Sequence, residues 1–215
     1  MYLSKITLYT SGLAPSRLLQ LVNRGEYVMH QWLWDLFPGQ QQRQFLYRRE
    51  ELHGAFRFFV LSHQAPAQND IFAVETRAFT PDLASGQQLR FSLRANPTVC
   101  KAEKRHDLLM ETKYRLRDKV EASEIWSHQQ QAAQAWLARQ GEQSGFELEQ
   151  VIVDAYCQQI IRKEKSRVIQ FSSVDYCGVL TVTEPARFLR QLALGYGKSR
   201  AFGCGLMLIR PERLV

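Results

Sequence analysis

Near its start the chain sets apolar and polar side chains in alternation, "YLSKITLYT", and this period predicts a strand with one buried face. A helical spacing replaces it from Pro15 to Val22. Asn23-Arg24-Gly25 reads as a turn, and "EYVMHQWLWDLF" resumes the helical period with Met29, Leu33 and Leu36 on one apolar face. Pro38-Gly39 stops it, since proline neither donates to nor fits inside a helix. Strand-like runs return at "QFLYRRE", "FRFFVLS" and "DIFAVETRAF". The first half is thus β-α-β-β and then a further strand.

The second half repeats the plan. "LRFSLRANPTV" predicts a strand, and "EIWSHQQQAAQAWLARQ" a helix with Ile125, Ala132, Ala133, Trp136 and Leu137 inward, ended by the stretch from Gly141 to Gly145. "FELEQVIVDAYCQQIIR" and "RVIQFSSVDYCGVLTVT" predict two strands. "EPARFLRQLAL" starts a helix at Glu184-Pro185, and "GCGLMLI" is the last strand. The order β-α-β-β-α-β is the ferredoxin-like (RRM-like) arrangement. The expected fold is therefore α+β, two such domains in tandem, residues 1–85 and 88–215, with the boundary in "PDLASGQQ".

Charge narrows the partner. Among 215 residues there are 28 Lys+Arg against 21 Asp+Glu, a net charge of +7 that points to a polyanion. Two clusters concentrate it. Lys101 to Lys119 holds seven basic residues, including Lys113, Arg115 and Arg117, against four acidic ones. "IIRKEKSRVIQF" is denser, with Arg162, Lys163, Lys165 and Arg167 around a single Glu164. Its β-branched flanks suggest strands, so this is either a solvated hairpin tip or a basic ribbon narrow enough for a nucleic-acid groove.

"LGYGKSRAFGCGLMLI" sets Gly195, Gly197, Gly203 and Gly205 around Lys198, Ser199 and Arg200. A P-loop needs a further glycine where Leu192 stands, and a dinucleotide fingerprint needs one where Leu208 stands. Both nucleotide readings fail. What remains is a structural loop, or a loop whose bare backbone lies against the sugar-phosphate chain of a longer partner while Lys198 and Arg200 supply charge and Ser199 a hydroxyl. Other chemistry is sparse. Cys100, Cys157, Cys177 and Cys204 form no Cys-x-x-Cys pair, and the five histidines show no metal-ligand spacing, so no metal or cofactor is expected. No run nears the roughly 18 apolar residues of a membrane span, and the first residues lack the apolar centre of a signal peptide. A soluble, cytoplasmic protein with no membrane partner is expected.

"MYLSKITL", "EYVMHQWLWDLFP", "LRFSLRANP" and "GYGKSRAFGCGLMLI", taken in order, resemble the CasE family, the CRISPR RNA-processing endoribonucleases of type I-E systems within the glycine-rich-loop RAMP superfamily. The resemblance implies two ferredoxin-like domains and metal-independent cleavage at the foot of a repeat stem-loop. A 2′-hydroxyl attacks the adjacent phosphate, leaving a 2′,3′-cyclic phosphate and a 5′-hydroxyl. It implies too that the protein stays on its product within Cascade, whose backbone subunit is the expected protein contact. The family's catalytic histidine matches His30, with a tyrosine three residues before it at Tyr27.

Those residue types suit the task. At i, i+3 on a helix, Tyr27 and His30 share a face and can address one phosphate. An imidazole with an unperturbed pKa of about 6.5 moves protons near neutrality, whereas a phenol near 10 is better suited to donating a hydrogen bond. Lys198 or Arg200 would stabilise charge on the phosphate oxygens. By analogy with relatives, Arg162, Lys163, Lys165 and Arg167 sit at the stem's base and Lys113, Arg115 and Arg117 follow its backbone. Blander accounts serve His53, His63, His106 and His128, and core packing competes with base stacking for Phe56, Phe58 and Phe59. A second functional reading is a non-cleaving RNA-binding subunit of the same kind of complex.

Overall fold

The computed structural model describes residues 1–162 and 168–212, and of Arg24, Glu26 and Arg162 only the backbone. Strand β1 (Tyr2–Tyr9) buries Ile6 and Leu8 completely, and the helices α1 (Pro15–Arg24) and α2 (Glu26–Trp34) follow it. Between them Gly25 sits at φ +48°, so one continuous helix becomes two. β2 (Phe45–Leu52) and β3 (Ala55–Ser62) form a hairpin about His53-Gly54, and β4 (Phe72–Ala78) closes the sheet. The order β2-β3-β1-β4 is that of a ferredoxin-like sheet, antiparallel throughout. No helix links β3 to β4. There Asn69 Oδ1 accepts the N–H groups of Ile71 and Phe72 at 3.0 Å, an Asx turn that feeds the chain straight into β4.

The second half begins with β5 (Gln88–Ala95), whose Leu89, Phe91, Leu93 and Ala95 alternate into a core. Next comes a small ribbon, β6 (Thr98–Lys101) and β7 (Lys104–Asp107), and then α3 (Leu108–Leu116). All three lie in what the sequence read as the tail of one strand and a charged connector. Asp107 starts the helix by accepting the Met110 N–H at 2.8 Å. α4 (Ile125–Ser144) runs through Gly141 and stops at the far end of the expected Gly141-to-Gly145 stretch. A Cβ at Gly141 would lie 2.5 Å from the Phe146 carbonyl oxygen, so that glycine permits close packing, and Gly145 at φ +81° is the actual stop.

β8 (Phe146–Arg162) and β9 (Val168–Val182) pair as far as Arg162 and Val168, forming an arm much longer than the rest of the sheet. α5 (Pro185–Leu194) carries its proline in the first turn, and β10 (Met207–Pro211) completes the order β10-β5-β9-β8. β10 starts later than the sequence suggested, because Gly203 and Gly205 hold positive φ just before it. The chain is therefore α+β with two ferredoxin-like sheets. Each covers its own helix-packed core, and a third cluster, Leu46, Leu61 and Leu206, joins the halves. Burying each of these leucines contributes roughly 1.5–3 kcal/mol, so the seam between the halves is a packed joint.

Candidate active site

α2 divides its residues by period. Val28, Met29, Trp32 and Leu33 are buried in the first core, whereas Tyr27, His30 and Trp34 are half-buried along one strip at i, i+3 and i+7. That strip faces the seam. Around the His30 imidazole, ring centres lie at 6.0 Å for Trp34, 6.2 Å for Tyr47 on β2, and 6.0 Å for Phe202. Phe202 belongs to the second half, in a 3-10 turn spanning Arg200–Phe202 inside the glycine-rich stretch. Tyr47 ties the same turn down by donating its hydroxyl to the Ala201 carbonyl at 3.2 Å. An imidazole from one half is thus held against the loop of the other.

Phe202 also stacks on Phe171 of β9, with ring centres 5.7 Å apart and 25° between planes. Beneath them a cavity of about 20 Å³, bordered by Arg49, Arg94 and Ser173, has room for a water and not for a base. Arg94 is pinned by two 2.8 Å bonds to Asp175, which hold its pKa above the usual guanidinium value. Among the described residues no three His, Cys, Asp or Glu side chains gather as a metal-binding cluster.

Four glycines of the terminal stretch, Gly195, Gly197, Gly203 and Gly205, all have positive φ, between +72° and +93°. Their close approaches are to the protein itself. A Cβ at Gly195 would sit 2.8 Å from Leu46 Cδ1, and one at Gly203 would sit 3.3 Å from the Tyr47 ring, so both glycines let the loop press on the first half. The loop is also bonded to the end of β5: Gly205 N–H donates to Arg94 O at 2.7 Å and Lys198 N–H to Asn96 O at 3.1 Å. The exposed side of the loop belongs to Lys198. Ser199, at φ +54°, accepts from Asn96 Nδ2 at 2.7 Å. Arg200 turns inward, donating to Gly197 O at 3.1 Å and to Leu194 O at 2.6 Å, where it closes the C-terminal end of α5.

His30 and the Lys198–Arg200 segment are thus brought to one seam, with Tyr27 one helical turn from His30 on the same strip of α2. Lys113, Arg115 and Arg117 are not. They are exposed on and just after α3, where Lys113 and Arg117 border a separate recess with Trp126. The Arg162 side chain and Lys163, Lys165 and Arg167 lie outside the described residues. Of the phenylalanine trio, Phe58 is fully buried in the first core, and Phe56 and Phe59 are half-buried beside it and the seam.

A family model described as "CRISPR associated protein" matches residues 1–211. The chain belongs to that family. It is 30% identical to the CRISPR system Cascade subunit CasE of Escherichia coli, across 98% of this chain and 100% of that protein. With the CRISPR-associated endoribonuclease Cse3 of Thermus thermophilus it shares 33% identity over 146 residues, 63% of this chain and 61% of that protein. The structure of a Cse3 endoribonuclease bound to 19 nt RNA superposes with a TM-score of 0.74 at 27% identity, covering 98% of this chain and all of that one. The E. coli Cas6e crystal structure, at 23% identity and a TM-score of 0.69, shares the fold. The resemblance to the CasE/Cse3 family read from four motifs therefore holds along the chain.

Sequence reasoning did not find Trp34, Tyr47 and Phe202 around His30, nor Arg43, Arg48 and Arg49. Arg48 and Arg49 had a usable signal. Neighbours in a strand point to opposite faces, so "RR" in β2 sends one guanidinium to each side of the sheet. Burial lowers the pKa of Arg48, whose Nε and Nη1 are buried without a hydrogen-bond partner among the described residues.

Proposed function

We propose that this chain is a CRISPR RNA-processing endoribonuclease that cuts the precursor at the base of a repeat stem-loop, without a metal ion. It then remains on the product as part of a cytoplasmic Cascade complex, in contact with the backbone subunit. The single observation supporting this is the His30 imidazole set 6.0 Å from Phe202, across the seam between two ferredoxin-like halves. Membership of the CasE/Cse3 family supports it further, since its relatives include a Cascade subunit and an RNA-bound endoribonuclease.

The 2′-oxygen of the scissile nucleotide attacks phosphorus and the P–O5′ bond breaks. One proton leaves the 2′-hydroxyl and one is delivered to the departing 5′-oxygen. His30 carries one of these two protons, and Tyr27, one helical turn away, donates a hydrogen bond to the phosphate. Exposed Lys198 offsets negative charge on the non-bridging oxygens. Basic residues of the β8–β9 tip and of α3 hold the stem by its phosphates, and the two halves correspond to residues 1–85 and 88–215.

Stem-loop RNA incubated in excess EDTA tests this reading. The expected products end in a 2′,3′-cyclic phosphate and a 5′-hydroxyl. RNA retained intact on the protein supports the non-cleaving RNA-binding subunit in its place, and cleavage that EDTA abolishes assigns the chemistry to a metal.

A further inference from the structure

A second recess of about 510 Å³ opens on the same seam, with Phe45 and Trp34 between it and His30. Arg43 and His63 border it from the first half, Leu194 and Arg200 from the second, and none of its bordering residues is acidic. Arg43 Nη1 is buried and has no hydrogen-bond partner among the described residues. Burial, with Arg200 close by, holds the Arg43 pKa below the usual guanidinium value; burial lowers that of Arg200 as well. Arg200 spends two of its donors on the Leu194 and Gly197 carbonyls at the end of α5 and just beyond it. Arg43 keeps that buried Nη1 beside a second cation, with no carboxylate bordering the recess, which is unfavourable for a structural role alone. An anion between them replaces that repulsion with two attractions and gives Arg43 Nη1 an acceptor.

Position says which anion. Phe45, in the wall of the recess, packs on Trp34 at 5.8 Å, and Trp34 packs on His30 at 6.0 Å. Arg200 lies two residues before Phe202, another of the rings around that imidazole. A strand whose phosphate lies at His30 meets this recess next as it leaves the seam. We infer that Arg43 and Arg200, with His63 at the rim, bind a backbone phosphate of the single-stranded RNA flanking the cleavage position. This rests on the proposal above that the seam holds RNA. Inorganic phosphate carries the same chemistry, so the test separates the two sources.

Binding is measured with RNA made uncleavable by a 2′-deoxy substitution at the scissile nucleotide, either trimmed to the stem or carrying its flanking nucleotides. Arg43→Gln should weaken binding of the flanked RNA by about three- to tenfold and leave the trimmed RNA unchanged. The slope of log K against log salt should fall by about 0.7 for the flanked RNA alone, one single-strand phosphate's share. Arg187→Gln, a charge-matched control, should alter neither. On the unmodified protein, one methylphosphonate in the flank should reproduce the loss, so the test survives if Arg43→Gln does not fold. Equal losses on both RNAs, no loss on either, or a recess that responds to inorganic phosphate with the flank contributing nothing would each overturn the inference. If the unmodified protein fails to bind the trimmed stem, the functional proposal itself has failed.

Discussion

In the first half the crossover from β1 to β2 carries two short helices and the return from β3 to β4 carries none. In the second half both crossovers are helical, and β8 and β9 run on as an arm of 17 and 15 residues. The strand order is the same in both. The sheets thus set where the halves meet, while the crossovers differ in what they deliver. The first half brings α2 with Tyr27 and His30; the second brings the loop with Lys198, Ser199 and Phe202. Neither half has the proposed site by itself.

The sharpest way to break this comparison is to remove the first half's chemical contribution and leave its shape. His30→Ala should slow single-turnover cleavage of stem-loop RNA by about 10²- to 10⁴-fold, with binding unchanged. A parallel loss of binding would mean that His30 holds RNA and does not transfer a proton. A smaller effect comes from the second half's grip on the first. Gly195, at φ +78° and ψ 165°, is in a backbone region open almost only to glycine, and a Cβ there meets Leu46. Gly195→Ala should lower unfolding free energy by about 1–3 kcal/mol in urea titrations. An unchanged midpoint would show that the joint tolerates a looser loop. Smallest is Tyr47→Phe, which deletes the 3.2 Å bond to Ala201 O and should cost about 0.5–1.5 kcal/mol by the same titration.

How legible each half was follows from the same physics. β5 was readable because alternate residues are buried. β6, β7 and α3 were not, since the two strands are four residues each with no side chain fully buried, and the nine-residue α3 buries only Leu109 and Thr112, too little to show a period. In the candidate site, His30 stood out only through a family resemblance, because Tyr-x-x-His on an amphipathic helix is ordinary packing chemistry. Tyr47 and Ala201 are 154 positions apart, and no local pattern joins them. The glycine-rich stretch was conspicuous in sequence for a different reason from its role in the fold. Its glycines are required by positive φ and by contact with Leu46, Asn96, Tyr47 and Tyr196.

The central claim is that one scissile phosphate touches both halves at once. It is tested most directly by photocrosslinking uncleavable stem-loop RNA with a single photoreactive nucleotide at the cleavage position, then mapping adducts by mass spectrometry. The account predicts adducts in both 27–34 and 198–202. Adducts confined to one half, or absent from α2, would contradict it.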